Sequence, residues 1–354
     1  MPSKLRPLYD KLYMGIDVGL LALGTARDYR RRAASTPKPE GLDRAYAEEI
    51  RPFWSRFRTA VPAKYWFRVF GTDPRYIPDD MWYRTIVPHF STLLFSQALQ
   101  DKCMHNLLVP GIRRPETVVK NIAGHFCTDE LSPLTPEEAA DRLRDAGRLL
   151  VKPSVGSGQG HGVRFFDSDG MGRSDAEALF RQYGKNFIVQ KKLSQHAGLA
   201  SLNPRSLNTI RIMSFYFRGE VRLLSHILRV GGGQNEMDNV SQGGFQITIC
   251  PDGSLEPLGI TRRDGVWKHA DRTDSGTLFE GVTVPSFDRA CAAVRSCAEK
   301  MPHFGIIGWD IAIDPEGEPV LIEFNVIPGQ NQGTCGPTFG ALTEEVLEEV
   351  FGRK

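Results

Sequence analysis

Two apolar strand patterns near the C-terminus place three hard oxygen donors on one face of a hairpin. Segments 305–313 and 319–329 are apolar runs that a short turn joins. Because alternate residues of a strand share a face, Glu323 and Asn325 project together, and the hairpin brings Asp310 opposite them. Carboxylates buried on a dry sheet are costly unless a cation compensates them. The pattern therefore predicts a magnesium site that holds nucleotide phosphates.

Composition places the chain among ordinary globular proteins. Its 354 residues, 41% hydrophobic and 24% charged, suffice for two domains or for one domain of several lobes. A formal net charge of +2 is too small to indicate nucleic-acid binding. The six cysteines show neither a CxxC pair nor zinc-ligand spacing, so we expect reduced thiols in a cytoplasmic protein.

An apolar segment near the N-terminus is a candidate targeting signal. Residues 12–26 follow basic residues, but Asp17 interrupts the run and no small-residue cleavage pattern follows it. The run is also shorter than the roughly 20 residues of a membrane-spanning helix. We therefore expect an amphipathic helix over 5–32 and no transmembrane segment, although the basic flanks would permit a peripheral membrane contact.

The order of predicted elements separates a helical beginning from a mixed remainder. Residues 1–100 are expected to form a helical region, with helices over 5–32 and 42–58 and a further helical pattern over 81–108. Beyond residue 110 the pattern predicts helices over 135–146, 174–183, 287–300 and 343–351, and strands over 149–152, 186–191, 209–217, 220–230, 245–249 and 255–260. Hairpins mixed with helices indicate an α+β fold rather than a doubly wound parallel sheet.

A lysine at the end of a predicted strand precedes a loop rich in glycine. Lys152 ends the strand, and glycines occupy positions 156, 158, 160 and 162. Glycine permits positive φ angles and lets backbone N–H groups approach an anion, so the loop is suited to phosphate beside the charge of Lys152. The loop leads to a strand and lacks the GxxxxGK[ST] order, which argues against a P-loop and a dinucleotide fingerprint. A flexible hairpin turn with a chance lysine is the alternative.

The carboxylate hairpin and the glycine loop together resemble the ATP-grasp superfamily. Over about residues 60–340 the succession of motifs is similar to its sugar-transfer-associated group, a family that carries a hexapeptide-transferase label. The motifs are Asp101-Lys102, 112–118, 151–153, 208–211, 227–231, 238–244, 308–313 and 323–325. The resemblance implies an α+β ATP-grasp fold whose lobes, over 101–190 and 191–354, clasp ATP behind a helical extension over 1–100.

The resemblance also implies which residues bind the phosphates of ATP. Lys102 and Lys152 match the two lysines that contact the phosphates in ATP-grasp enzymes. Ser157, Gly158 and Gly160 belong to the loop that would close over them. Magnesium at the carboxylate hairpin would complete this phosphate site.

Adenine and ribose contacts are implied for the segment after the second lysine. Gln190 stands where many relatives carry an acid, and its amide oxygen can likewise accept from the adenine amino group. The backbone of Lys191, Lys192 and Leu193 would bond the purine edge. His196 or a neighbour stands where a ribose-binding glutamate is common.

Two arginines and an asparagine are implied for the reacting groups. Arg211 and Arg229 resemble arginines that face the γ-phosphate and the acyl phosphate, and a solvated strand face is the alternative. Asn239 matches a substrate-side asparagine of amino-acid ligases. Because Gly308 replaces an arginine found in some peptide-forming relatives, the oxyanion contact is expected from Arg211 or Arg229.

Several further residues are weaker candidates for the acceptor side. His269, Gly243 and Gly244 are possible substrate-binding residues. His161, inside the glycine loop, could approach a phosphate. Cys335 is interpreted as a structural turn residue rather than as pocket lining.

The resemblance implies a carboxylate–amine ligase that uses ATP and Mg²⁺ and forms an amide through an acyl phosphate. Its partners would be a small carboxylate and an amine, for example an amino acid with a sugar acid or with a second amino acid. Two alternatives are an ATP-binding module partnered with a sugar transferase and a phosphotransferase acting on a hydroxyl. The region 1–100 would form a substrate lid, a docking surface or a homodimer contact.

Overall fold

The computed structural model of the chain describes residues 6–99, 101–156, 160–233, 235–236, 238, 240–263 and 266–354. Helices make up most of its N-terminal part. They are α1 (Arg6–Ser35), α2 (Leu42–Ala45), α3 (Arg51–Ser55), α4 (Lys64–Phe70), α5 (Asp79–Met81), α6 (Val87–Phe90), α7 (Ser96–Leu99) and α8 (His105–Leu108). A π-helical turn over Tyr46–Ile50 joins α2 to α3, so the helix predicted over 42–58 is continuous as far as Ser55. A second π-helical turn over Trp82–Ile86 joins α5 to α6.

A six-stranded sheet follows in the chain, and all its strand pairs are antiparallel. Its strands are β1 (Thr117–Ile122), β2 (His125–Cys127), β3 (Pro133–Leu134), β4 (Arg148–Pro153), β5 (Arg164–Asp167) and β6 (Phe187–Lys191), in the order β3-β2-β1-β6-β4-β5. Helices α9 (Pro136–Asp141) and α10 (Arg173–Tyr183) pack on it through a shared apolar core. Thr135 and Glu138 form the capping box that begins α9, and the helix ends five residues before the predicted end.

A second, seven-stranded antiparallel sheet forms the C-terminal part. Its strands are β7 (Thr209–Phe217), β8 (Glu220–Val230), β9 (Phe245–Thr248), β10 (Gly259–Arg263), β11 (Val266–Ala270), β12 (Ile306–Ile313) and β13 (Pro319–Asn325), in the order β11-β10-β9-β8-β7-β12-β13. The helices around it are α11 (Ala197–Ala200), α12 (Phe287–Glu299), α13 (Gln332–Cys335) and α14 (Thr343–Phe351). Two antiparallel sheets with helices confirm the predicted α+β class.

The strand predicted over 255–260 is wrong over 255–258. Leu255 forms only an isolated bridge with Ile249, and β10 begins at Gly259. The reason is Pro257, which has no N–H for a sheet ladder and is excluded from a strand with a neighbour on each side.

The two faces of the second sheet carry different layers. On one face, Ile210, Ile212 and Leu228 belong to the core that α12 completes. On the other face, Met213 and Phe215 belong to the core of the N-terminal helices and α14. Alternate residues of β7 share a face. Arg211, two residues before Met213, therefore lies on the same side of the sheet as Met213 and Phe215. The N-terminal helices therefore cover the same side of the sheet as the predicted functional residues.

Two smaller expectations are tested by the fold. All six cysteines are free, which agrees with the predicted reduced thiols. No helix in the described ranges combines the length and the apolar character that crossing a bilayer requires.

Candidate active site

The C-terminal hairpin holds the three predicted oxygen donors in register. Asp310 on β12 lies directly opposite Glu323 on β13, and Gly308 lies opposite Asn325. Asp310 is 6% exposed, whereas Glu323 and Asn325 are half-buried. Within the described residues, no three His, Cys, Asp or Glu side chains converge as a metal cluster. The predicted set consists of two carboxylates and one amide.

Asp310 is the centre of an ion-pair network. Arg211 on β7 lies opposite Asp310, and its Nε and Nη2 atoms are 2.5 and 2.8 Å from the two carboxylate oxygens. Arg229 Nη1 lies 3.1 Å from Oδ1 of the same carboxylate. Burial would raise the pKa of Asp310, but the two guanidinium groups outweigh it and hold that pKa below its ordinary value. Asp310 is therefore ionised and orients both arginines toward one face.

Asp238 extends this network and was not among the predicted site residues. Its carboxylate accepts a hydrogen bond from the Thr209 hydroxyl, and Arg229 on β8 lies close enough to interact with it electrostatically. Burial would lower the pKa of Arg229, but Asp238 and Asp310 raise it above the ordinary value. The result is an alternating series of acidic and basic side chains, Asp238, Arg229, Asp310 and Arg211, in which burial holds the pKa of Asp238 above its ordinary value although Arg229 opposes the shift. The sequence signal was a carboxylate in the loop motif 238–244.

The two predicted lysines lie beside Glu323. Lys102 Nζ is 3.3 Å from Glu323 Oε1, which links the segment before β1 to the second sheet. The Lys102 N–H also donates to the Ser154 carbonyl at 2.9 Å, next to the glycine loop. Burial lowers the pKa of Lys152 to about 8, although Glu323 partly opposes the shift. Two cations from the first part of the chain thus meet a carboxylate of β13.

The glycine loop is described on both sides of residues 157–159. Ser157 and Gly158, two of the predicted phosphate contacts, lie outside the described residues. Gly160 has φ +76° and Gly162 has φ +75°. A methyl group on Gly162 would lie 2.8 Å from Pro153 Cγ, so only glycine fits where the loop returns past the end of β4.

Gln190, on β6, carries a buried acceptor without a partner. Its side chain is 6% exposed, and Nε2 makes only long contacts, 3.4 Å to the Pro115 carbonyl and 3.5 Å to Thr117 Oγ1. Gln190 Oε1 is buried and has no hydrogen-bond partner among the described residues. Because an orphaned acceptor is costly, this oxygen is a candidate ligand contact.

The backbone after Gln190 is partly committed to the sheet. The N–H groups of Lys191 and Lys192 donate at 2.9 Å to the carbonyls of Glu116 and Arg148. Leu193, by contrast, is the second residue past the strand and is half-buried. The predicted purine contacts would therefore use the carbonyls of this segment or the Leu193 N–H.

His196 caps a short helix in this structure. Its Nδ1 accepts from the Gly198 N–H at 3.0 Å at the start of α11. The backbone N–H of His196 donates to the Ile313 carbonyl at 2.8 Å, and this bond connects the start of α11 to the end of β12.

The weaker candidates lie at varied distances from the arginines. Asn239 is outside the described residues. Gly243 closely approaches Gly232, because a methyl group added to Gly232 would overlap the Gly243 carbonyl. Gly244, the next residue, is buried. His269 is exposed on the outermost strand, β11, three strand spacings or about 14 Å across the sheet from Arg229.

Two further candidates have plain structural surroundings. Cys335 ends α13 with its Sγ 3.7 Å from Thr248 Oγ1, and burial raises the pKa of its thiol to about 11. This agrees with the structural interpretation of Cys335. His161 is exposed at the loop surface.

The loop that follows β13 is bound to the N-terminal helices, a contact that the sequence did not indicate. Trp82 Nε1 donates to the Pro328 carbonyl at 2.8 Å. The Gln332 amide bonds to both backbone groups of Ile77, at 2.9 and 2.7 Å. Gln330 Nε2 donates to Asp79 Oδ1 at 2.6 Å. The N-terminal helices therefore form one border of the candidate site, the side of the sheet that carries Arg211 and Asp310.

A family model matches most of the chain. Its description is sugar-transfer associated ATP-grasp, and it covers residues 96–334. No curated protein sequence matches the chain significantly.

Several solved structures match parts of the chain. The D-alanine–D-alanine ligase from Bacillus anthracis is 18% identical with a TM-score of 0.40, over 73% of this chain and 69% of that chain. An L-amino acid ligase from Bacillus licheniformis is 15% identical with a TM-score of 0.38, over 74% of this chain and 50% of that chain. An N5-carboxyaminoimidazole ribonucleotide synthetase in complex with ADP is 12% identical with a TM-score of 0.40, over 68% of this chain. The match spans about half of that synthetase, 47% of its length.

Proposed function

The chain belongs to the sugar-transfer associated ATP-grasp family, and we propose that it is an ATP-dependent ligase that joins a small carboxylic acid to an amine. The observation that supports this most is the meeting of two lysines with Glu323 beside two arginines that Asp310 orients. Such an arrangement suits a triphosphate on one side and an organic acid on the other.

ATP is the proposed nucleotide because the first lobe offers matching groups. Lys102 and Lys152 would contact its phosphates, and the glycine loop would cover them. The buried, unpartnered Gln190 Oε1 would accept a hydrogen bond from the adenine amino group. The desolvated charge of Lys152 favours an anionic partner, because that partner would offset the cost of burying the charge.

Magnesium fits the donor set of the C-terminal hairpin. Asp310, Glu323 and Asn325 offer hard oxygen donors on adjacent strands, the ligand type that Mg²⁺ prefers. Glu323 is held by Lys102 in this structure, and phosphate groups would give that lysine another partner. A bound magnesium ion would neutralise charge on the phosphate oxygens.

The chain's own residues then position the reactants. Arg211 and Arg229, held by Asp310 and Asp238, would present N–H groups to the acid and to the transferring phosphoryl group. A carboxylate oxygen attacks the γ-phosphorus, the bond from phosphorus to the β–γ bridging oxygen breaks, and ADP leaves. The amine nitrogen then attacks the acyl carbon, inorganic phosphate leaves, and the surplus amine proton passes to solvent.

The protein supplies mainly position and charge for these steps. No side-chain nucleophile is required, because each bond forms between substrates. The glycine loop would exclude water that would otherwise hydrolyse the acyl phosphate. We further propose a cytoplasmic enzyme in biosynthesis of a small metabolite, peptide or sugar conjugate.

The description of the family supports a second candidate, an ATP-binding module that serves a sugar transferase. Such a module would bind ATP without turnover, and substitution of Arg211 would leave ATP binding unchanged. A phosphotransferase would instead place the phosphoryl group on a hydroxyl and release no free phosphate.

Hydroxylamine trapping tests the proposal. The protein is incubated with ATP, magnesium, hydroxylamine and a panel of amino acids and sugar acids, and hydroxamate, ADP and phosphate are measured. Equal amounts of all three with at least one acid support the ligase, and turnover is expected to be lost in Glu323→Gln. If no acid releases ADP or phosphate, the ligase proposal fails.

A further inference from the structure

The N-terminal helices reach the candidate site at the π-helical turn Trp82–Ile86. Trp82 Nε1 fixes this turn to the Pro328 carbonyl at 2.8 Å. A methyl group on Gly308 would lie 3.0 Å from Pro328 Cβ and 3.5 Å from Arg211 Nη1. Pro328 therefore lies beside the guanidinium that binds Asp310, and the turn is held against this border of the site.

Tyr83, the next residue of the turn, carries a hydroxyl that forms no hydrogen bond with any described part of the chain. A methyl group on Gly329 would lie 3.3 Å from the Tyr83 hydroxyl oxygen, so this oxygen lies over the bare backbone of the glycine. Burial and then Asp79 raise the pKa of Tyr83, while Arg211 opposes them. The phenol is therefore neutral at physiological pH and available as a donor near Arg211.

The turn is also rigidly placed. Trp82 and Ile86 are fully buried in the core that the N-terminal helices share with Met213 and Phe215 of β7. Tyr83 is thus carried by packed structure that is continuous with the strand of Arg211, which suits a group that must hold a ligand in one position.

We propose that Tyr83 is a substrate-binding residue whose hydroxyl donates to a carboxylate oxygen of the organic acid, while Arg211 binds the same carboxylate. The proposal rests on the ligase function and assigns acid recognition partly to the N-terminal helices. Gly329 keeps the space at the hydroxyl open. The ligand class is a compact organic carboxylate that becomes the acyl phosphate.

Tyr83→Phe tests the proposal, with Tyr46→Phe as the matched control. Tyr46 lies in the same helical region, but its hydroxyl donates to the Pro62 carbonyl at 2.8 Å. With an acid found by hydroxylamine trapping, Tyr83→Phe should raise the KM for the acid about tenfold, because one hydrogen bond to a charged group is lost. Its KM for ATP and its melting temperature should not change. Tyr46→Phe should lower the melting temperature and leave both KM values unchanged.

A second measurement separates this proposal from the ligase function. Acetate and inorganic phosphate are titrated calorimetrically into wild type and Tyr83→Phe in the presence of ADP and magnesium. About tenfold weaker acetate binding in the variant, with no acid turned over by wild type, would support the Tyr83 site and contradict the ligase. Turnover with an unchanged KM for the acid, or equal shifts in the KM for acid and ATP, would overturn the Tyr83 proposal alone. Wild type that neither binds acetate nor turns over any acid would overturn both.

Discussion

The two halves of the candidate site differ in how their cations are balanced. On the second sheet, Arg211 and Arg229 have carboxylates of their own, Asp310 and Asp238. On the side of the first sheet, Lys152 is half-buried, and burial lowers its pKa to about 8. The arginines are therefore held in place without a ligand, whereas Glu323 only partly compensates Lys152, and a phosphate ligand would supply the remainder.

Asp310→Asn would break the arginine half and should have the largest effect. It leaves two largely buried guanidinium groups without their shared carboxylate, and loss of one partner of a buried pair costs about 3–5 kcal/mol. Urea unfolding measures this change. Glu318→Gln is the control, since its pair with Arg289 is exposed to solvent and should contribute little to stability. An Asp310→Asn effect as small as that of the control would contradict the comparison.

Lys152→Met tests the other half, and its two effects should have opposite signs. The Lys152 pKa falls from 10.5 to about 8, so its charged form costs the folded, ligand-free protein about 3 kcal/mol. The variant should therefore be more stable at pH 7 without ligand and bind MgATP more weakly. In wild type, stability should rise between pH 8 and 10.5, and this rise should be absent in the variant. A less stable ligand-free variant would refute the interpretation.

Asp79→Asn tests what burial does to a carboxylate. Asp79 is buried like Asp310, but the main influence on its pKa is burial, whereas two arginines outweigh burial in setting the pKa of Asp310. Burial raises the pKa of Asp79 from 3.8 to about 6, although Gln330 and Tyr29 donate to it. A raised carboxyl pKa means that the folded state holds the proton more tightly. Its stabilisation is thus present below about pH 4 and is lost as pH rises through 6, by about 3 kcal/mol at most.

The measurement for Asp79 is the difference in unfolding free energy between wild type and Asp79→Asn across pH 3.5 to 7.5. The variant should lack the decline between pH 4 and 6, and parallel curves would exclude the raised pKa. The pKa of Asp310 shifts in the opposite direction because Arg211 and Arg229 lower it. Comparison of the two aspartates therefore distinguishes the effect of burial on a carboxyl pKa from the effect of ion pairing.

Gln190→Leu should have the smallest effect. The side-chain oxygen has no partner among the described residues, and the nitrogen contacts are long, so the variant should unfold like wild type. Loss of one hydrogen bond to adenine should weaken ATP binding about fivefold to tenfold, or about 1 kcal/mol. Calorimetry measures the affinity of wild type and variant for ATP and for a purine triphosphate that lacks the amino group. A hydrogen bond to the amino group makes wild type alone prefer ATP, whereas a packing effect weakens the binding of both nucleotides equally. Equal preference for ATP in both proteins would exclude the contact.

The features that follow local rules could be predicted from the sequence. The alternation of β13 and a short turn placed Asp310 opposite Glu323, and the capping box at Thr135 began α9 as expected. The arginines were identified through the resemblance, and alternation then places Arg211 on the face that carries Asp310. The strand over 255–260 failed because the apolar pattern outweighed Pro257 in the prediction.

Other parts of the site depend on contacts between distant segments. Trp82 and Pro328 are far apart in the sequence, and nothing in the aromatic pattern near Trp82 indicates which loop it binds. Asp238 lies in a loop, where no periodicity says which strand its side chain approaches. A residue type alone could not reveal that Arg229 has a second carboxylate.

The core shared by the N-terminal helices and β7 has a consequence for how the protein can be divided. Removing the first ninety residues would uncover Met213, Phe215 and Ile306 on the side of the sheet that carries the candidate site. Such a fragment would present an apolar patch to water and tend to aggregate. Any chimaera made by domain exchange would therefore require the helices and the sheet they cover to be transferred together.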